Sequence, residues 1–164
     1  MNNYNSIELI VNIATQELHV HQENNLIKTI AISTAKNGVG EINGSECTPR
    51  GRHKIRAKIG LNSPVNTVFV GRRGTNEIYS PNLRLQFPQR DWILTRIMWL
   101  SGLEIQKNRF GNVDTMKRYI YIHGCPDEDE MGIPSSHGCI KMRNNDVIEL
   151  FDLVNIGTIV TIQA

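Results

Sequence analysis

Cysteine is scarce in this sequence: Cys47, Cys125 and Cys139 are the three in 164 residues. An odd count leaves at least one thiol unpaired, and free thiols suit a reducing compartment better than an oxidising one. No apolar run approaches the roughly 18 residues of a membrane span. The opening stretch Met1-Asn2-Asn3-Tyr4-Asn5-Ser6 is polar and uncharged, without the basic start and apolar run of a secretory signal. Charge of one sign is also lacking. The net charge of +2 is too small to point to nucleic acid, which calls for a clustered basic face. Repeats, linkers and low-complexity segments are absent. These absences predict a cytoplasmic protein with neither a nucleic-acid nor a membrane partner. An exported protein trimmed of its signal is the alternative.

What is present suits a single domain over 1–164. Hydrophobic residues make up 40% and charged residues 21%, a globular balance that excludes disorder and coiled coil. Ile7, Leu9, Val11 and Ile13 alternate with other residues, as do Leu18 and Val20. The run 26–33 follows, and the polar breaks Thr15-Gln16 and Glu23-Asn24-Asn25 read as hairpin turns. Further strands are predicted over 53–57, 67–70, 118–123 and 158–162. Trp92, Ile93, Leu94, Ile97, Met98 and Leu100 fit one helix face, with Asp91 as N-cap. A second helix runs from Asp146 to Val154, with Glu149 completing a capping box and Gly157 as stop signal. Mainly β with two short helices is the outcome.

In a strand, Arg50, Arg52, Lys54, Arg56 and Lys58 fall on one face. That face is either solvated or a cleft wall that attracts anionic peptides. Trp92 and Trp99 read as core, His19 and His21 as solvated, and Tyr119 and Tyr121 as a packed pair, with Tyr121 open to a cleft role. Asp127-Glu128-Asp129-Glu130 is a solvated loop or a gate.

Chemistry concentrates between His123 and Met142. A strand delivers His123, a turn-rich loop follows, and Ser136-His137-Gly138-Cys139 precedes a helical region. A thiol near its usual pKa is mostly protonated at neutral pH, and a nearby imidazole can accept that proton. Gly138 permits close backbone approach, and N–H groups there can face a developing oxyanion. The residues alone leave two rivals open. Cys139 can be an inert core cysteine, or His123-Gly124-Cys125 and His137-Gly138-Cys139 can together hold zinc.

Ser136-His137-Gly138-Cys139-Ile140-Lys141-Met142 resembles the Ser-His-Gly-Cys-Ile-Arg-Met signature of the YkuD-type L,D-transpeptidase family. His123-Gly124 matches that family's upstream His-Gly, and Thr48-Pro49-Arg50-Gly51 its earlier Thr-Pro-x-Gly. The resemblance spans nearly the whole chain. It implies a mainly β sandwich with the active site at one end of a sheet. It further implies a cysteine enzyme cleaving the bond between the L-centre of meso-diaminopimelate and D-alanine in a murein tetrapeptide.

By motif matching Cys139 is the nucleophile, His123 the base, and Gly124 the carbonyl that orients the imidazole. Gly138 and Cys139 form the oxyanion hole, while Ser136 and His137 shape the site. Tyr121, Arg143 and Arg50 are candidate substrate binders, together with Lys141 in place of the family's arginine. Lys keeps the charge but loses the bidentate fork. Cys125 is a passive small residue or, under oxidation, a trap for Cys139. No metal or cofactor is implied, and carbapenem-type β-lactams are expected acylating inhibitors.

With both nucleophile and base present, an enzyme is a better reading than a non-catalytic peptidoglycan-binding module. In the cytoplasm, water is the expected acceptor, giving an L,D-carboxypeptidase of murein recycling. The alternative is a periplasmic L,D-transpeptidase forming 3-3 cross-links.

Overall fold

The structure, a computed structural model, describes residues 6–164; residues 1–5, part of the stretch read as lacking an export signal, lie outside the described residues. The described strands and α-helices are β1 (Ile7–Asn12), β2 (Glu17–Gln22), β3 (Asn25–Ser33), β4 (Gly51–Ile59), β5 (Thr67–Val70), β6 (Arg73–Ile78), α1 (Pro81–Gln86), β7 (Ile93–Gly102), β8 (Tyr121–Gly124), β9 (Ile140–Met142), α2 (Asn144–Leu153) and β10 (Ile159–Gln163). The strands form one sheet in the order β4-β10-β1-β2-β3-β9-β8-β7-β5-β6, and β4 also pairs with β7. That last pairing closes the strands from β4 round to β7 into a ring. The expected sandwich is therefore two halves of one closed sheet, with β5–β6 attached to β7 as a wing. Closure removes the unpaired edges within the ring, leaving β6 as the outer strand of the wing. No helix among the described residues is long and apolar enough to cross a membrane.

The opening meander follows from alternation. Leu9 pairs with Val20 and Val11 with Leu18, and all four side chains are fully buried. Glu23 (φ 49°) and Asn24 (φ 67°) make the turn between β2 and β3, the doubly positive geometry that matches strand twist. The main core gathers these residues with Ile55, Met98, Leu100, Ile122, Ile140 and Met142, and α2 lays Val147, Leu150 and Phe151 onto it.

The helix expected over 91–100 is instead β7. The strand is buried on both faces: Met98 and Leu100 enter the main core, while Ile97 packs with Phe69 and Tyr121 on the other side. Doubly buried strands lose the alternating pattern. A bulge between Leu94 and Ile97 also resets the phase, with Thr95 at φ 74°. Bulge and double burial together imitate a helical spacing. Thr95 Oγ1 helps hold the bulge by donating to Asn144 Oδ1 at 2.7 Å and accepting from the Asn66 N–H at 3.0 Å.

The second helix is α1, whose N-cap Ser80 accepts from the Leu83 N–H and whose first residue is Pro81, a start signal present in the sequence. α2 begins at Asn144 with Arg143 as N-cap, not Asp146. Asp146 and Glu149 both face Lys28 instead of forming a capping box. The strand expected over 118–123 is shorter, beginning at Tyr121, because Tyr119 turns the chain at φ 55°.

On β4, Arg52, Lys54 and Arg56 are exposed. The irregularity between Ile55 and Ala57 breaks the stripe, and Lys58 turns inward to Val154 O at 2.8 Å. The acidic loop is anchored: Asp129 pairs with Arg84 at 2.8 Å and Lys141 at 3.1 Å, and the Tyr79 hydroxyl donates to Glu128 at 2.7 Å.

Candidate active site

β8 and β9 run parallel, with Ile122 opposite Ile140 and His123 opposite Lys141. Ile122, Ile140 and Met142 point into the main core. Side chains alternate across a sheet, so Tyr121, His123, Cys139 and Lys141 belong to the opposite face. A one-residue slip would exchange the two sets. On the site face a cavity of about 430 Å³ is lined by residues that include His123, Cys139, Ser136, His137, Tyr121, Arg72, Asp91 and Arg118.

His123 is 1% exposed. Its Nδ1 lies 2.7 Å from Gly124 O. A carbonyl only accepts, so Nδ1 carries the proton and the neutral ring keeps a lone pair on Nε2. Burial, the largest influence, moves the imidazole pKa below its usual value, outweighing Asp91 and the Gly124 carbonyl. Gly124 is required where it stands, since a Cβ there would lie 2.8 Å from Leu94 O.

Cys139 Sγ accepts from the Tyr121 N–H at 3.3 Å and faces Tyr119 O at 3.5 Å. The residue is partly accessible, yet protein crowds round the sulfur and pushes the thiol up to about 12, against the Tyr121 N–H and Arg118, which act downward. Neutral thiol and neutral imidazole are thus the favoured resting forms, because burial penalises both charges.

The turn before Cys139 is pinned from two sides. Ser136 Oγ donates to Cys139 O at 2.6 Å and accepts the Gly138 N–H at 3.2 Å. Thr48 Oγ1 donates to Gly138 O at 2.9 Å and accepts the Ala35 N–H at 3.0 Å. Gly138 has φ 130°, and a Cβ on it would crowd Ile120 Cδ1 at 3.0 Å and Cys47 O at 3.2 Å. The Gly138 N–H, half of the expected oxyanion hole, is therefore held by Ser136 at rest.

Three expected substrate binders lie outside the cavity. Lys141 is buried against Asp129. Arg143 donates to Asp127 O at 2.9 Å, and Arg50 is paired with Glu41 at 2.7 Å. His137 is at the rim, its Nδ1 3.9 Å from Asp91. Tyr121 and Tyr119 both line the cavity and flank the Trp99 ring, at centroid distances of 6.2 and 6.0 Å; Tyr121 is buried, whereas Tyr119 is 52% exposed. The charged residues of the cavity are Arg72, Arg118 and Asp91, none of which sequence reasoning selected. Arg72 lies on the β5–β6 turn, and Asp91 reads in sequence as a helix cap. Thr48 belongs to the Thr48-Pro49-Arg50-Gly51 element, in which the charge of Arg50 is the more conspicuous feature.

Cys125 is fully buried and donates to Met142 O at 3.3 Å, and burial pushes its thiol up to about 11. It does not line the cavity shared by His123, His137 and Cys139, so the four side chains of the zinc reading are not gathered. Among the described residues no group of three or more His, Cys, Asp or Glu is placed to hold a metal ion.

The family model of the L,D-transpeptidase catalytic domain (YkuD) matches residues 6–162. This chain belongs to that family. An L,D-transpeptidase-named relative, YkuD of Bacillus subtilis (strain 168), is 48% identical over 47 residues, 29% of each chain. Among solved structures, an L,D-transpeptidase from Mycobacterium smegmatis is 20% identical with TM-score 0.58, the match covering 97% of this chain and 59% of that one. L,D-transpeptidase 3 from Mycobacterium tuberculosis, with a faropenem-derived adduct, is 14% identical with TM-score 0.59, covering 97% and 60%. The L,D-transpeptidase LdtMt1 in complex with imipenem gives 16% and TM-score 0.57, covering 96% and 59%. At such identities the solved structures support the fold of this L,D-transpeptidase-family domain. The chain spans about three fifths of their length and a smaller share of the Bacillus relative.

Proposed function

We propose that this domain is a cysteine acyltransferase that cleaves the meso-diaminopimelate–D-alanine bond of murein tetrapeptides through a Cys139 thioester. The observation that carries this reading is the placing of Cys139 and His123 in one cavity, with His123 Nδ1 fixed on Gly124 O and Nε2 left to accept a proton. As sulfur attacks the carbonyl, the thiol proton passes to Nε2. The C–N bond then breaks, and the imidazolium returns that proton to the departing amine. Full use of the oxyanion hole requires the Gly138 N–H to exchange Ser136 Oγ for the substrate oxygen.

The acceptor we assign is water, which restores the thiol and leaves a tripeptide. Three free thiols support a reducing, cytoplasmic setting, where recycled or nucleotide-linked stems would be the substrates. A second reading, transfer to an amine to form 3-3 cross-links, draws on Asp91, a carboxylate in the cavity able to hold an ammonium group. Solved relatives carry imipenem or a faropenem-derived adduct, and by the same acyl chemistry we propose that carbapenem-type β-lactams acylate Cys139.

Mass spectrometry of a murein tetrapeptide incubated with reduced protein, with and without an amine acceptor, tests the reading. Loss of one alanine, independent of the acceptor and absent in Cys139→Ala, is the expected result. A peptide joined to the acceptor would favour transfer, and an intact tetrapeptide would remove the substrate assignment.

A further inference from the structure

Arg72 is held in an unusual way beside the nucleophile. Gly71 (φ 55°) and Arg72 (φ 64°) form the tip of the β5–β6 hairpin, closed by the Val70–Arg73 pair. Two positive φ angles belong to the turn type that prefers Asn or Gly, so an arginine at the second position is disfavoured by backbone preference alone. This conformation carries the side chain to the cavity wall. Its guanidinium carbon lies 4.8 Å from the Trp99 ring centroid and 4.6 Å from that of Tyr119. Nη1 donates to the Tyr121 hydroxyl at 3.0 Å.

An arginine packed against two aromatic rings is restricted in its orientation while its edge donors remain available. One hydrogen bond to a neutral phenol leaves most of its five N–H donors unused. Among the described residues no carboxylate pairs with it, whereas Arg84 and Arg90 each have one at 2.8 Å. The other cavity arginine, Arg118, is committed to Gly40 O at 3.1 Å and Cys47 O at 2.6 Å. Asp91 supplies an opposing charge in the same cavity, so the cavity contains both a cation and an anion.

We infer that Arg72 is the specificity-determining residue that binds the terminal carboxylate of the peptide whose last bond is broken. The inference rests on the proposed cleavage of a C-terminal residue. The carboxylate of that residue is separated from the scissile carbonyl only by one nitrogen and one carbon, so a cation in the cavity of the nucleophile is within its reach. A planar guanidinium edge suits a carboxylate better than a point charge does.

The first experiment does not depend on murein. Alkylation of Cys139 by iodoacetate and by iodoacetamide is followed by mass spectrometry of the Cys139 peptide, in the wild type, Arg72→Gln and Arg72→Lys. The iodoacetate-to-iodoacetamide rate ratio should fall about tenfold in Arg72→Gln, the scale of one charge-assisted contact, and recover at least in part in Arg72→Lys. An unchanged iodoacetamide rate would report an intact site, and an unchanged ratio would overturn the inference.

The second compares kcat/KM for a tetrapeptide with a free terminal carboxylate and for its C-terminal amide. The wild type should prefer the acid, and Arg72→Gln should lose that preference while leaving the amide rate in place. An equal fall on both peptides would mean a merely structural stack and overturn the assignment. If the wild type cleaves neither peptide, the murein reading fails, and the alkylation ratio still decides whether Arg72 receives a carboxylate beside Cys139.

Discussion

His123 donates from Nδ1 to the carbonyl of Gly124, its own neighbour in the chain, at 2.7 Å. A backbone carbonyl thus sets the tautomer and the ring plane of the imidazole. The arrangement depends on Gly124 having no side chain. Gly124→Ala should cost about 1–3 kcal/mol in stability, as overpacking does, because a Cβ would lie 2.8 Å from Leu94 O. It should also lower kcat at least tenfold by displacing the carbonyl. Thermal melts and turnover on the same preparation would check both effects.

The ionisation of the pair gives a second prediction. Burial holds His123 below its usual 6.5 and pushes Cys139 up to about 12. The resting enzyme should therefore carry little Cys139 thiolate at neutral pH. Thiolate absorbance near neutrality should be the same in wild type and Cys139→Ala. Because the base form of His123 survives acidification, the acid limb of kcat/KM should lie below pH 6.5. A large Cys139-dependent thiolate signal at pH 7 would instead mean a preformed ion pair.

Thr48 offers a test of the turn that presents Cys139. It is fully buried and serves both the Ala35 N–H and Gly138 O. Thr48→Val keeps the shape and orphans both groups, for an expected loss of about 1–3 kcal/mol. Thr48→Ser should recover most of it. Chemical denaturation of the two variants would separate the hydroxyl's contribution from that of the methyl group.

His53 links stability to pH. It is fully buried, with Nδ1 3.0 Å from Gly51 O and Nε2 3.0 Å from Thr115 Oγ1. Nδ1 donates to the carbonyl, so Nε2 accepts from the hydroxyl. Burial depresses its pKa to about 4 from 6.5. The unfolded chain therefore binds this proton more readily. Stability should be intact above pH 6.5 and decline as pH falls from 6.5 toward 4, by no more than about 3 kcal/mol from this group. His123 acts in the same direction. Denaturation midpoints between pH 4 and 7 should fall less steeply with acid in His53→Gln than in the wild type.

The sequence by itself determined what local rules and a dense motif can encode. Alternating apolar residues marked the first meander, and β5 was predicted at its observed bounds, Thr67–Val70. The Ser136–Met142 run, with His123-Gly124 and Thr48–Gly51, placed the chain in its family and named His123, Ser136, His137 and Cys139 among the residues that line the cavity. Local rules could not identify β7. Its two buried faces and the bulge at Thr95 erase the period on which strand recognition depends. A helical reading of that segment makes Asp91 a cap instead of a cavity carboxylate. The charges of the site were decided by tertiary structure for the same reason. Lys141 and Arg50 look available in sequence, but Asp129 and Glu41 neutralise them in the fold. Arg72, on a two-residue turn far from every motif, reaches the cavity because sheet pairing sets Trp99 and Tyr121 side by side across β7 and β8. Which cation is paired with a carboxylate and which is not depends on contacts between distant segments.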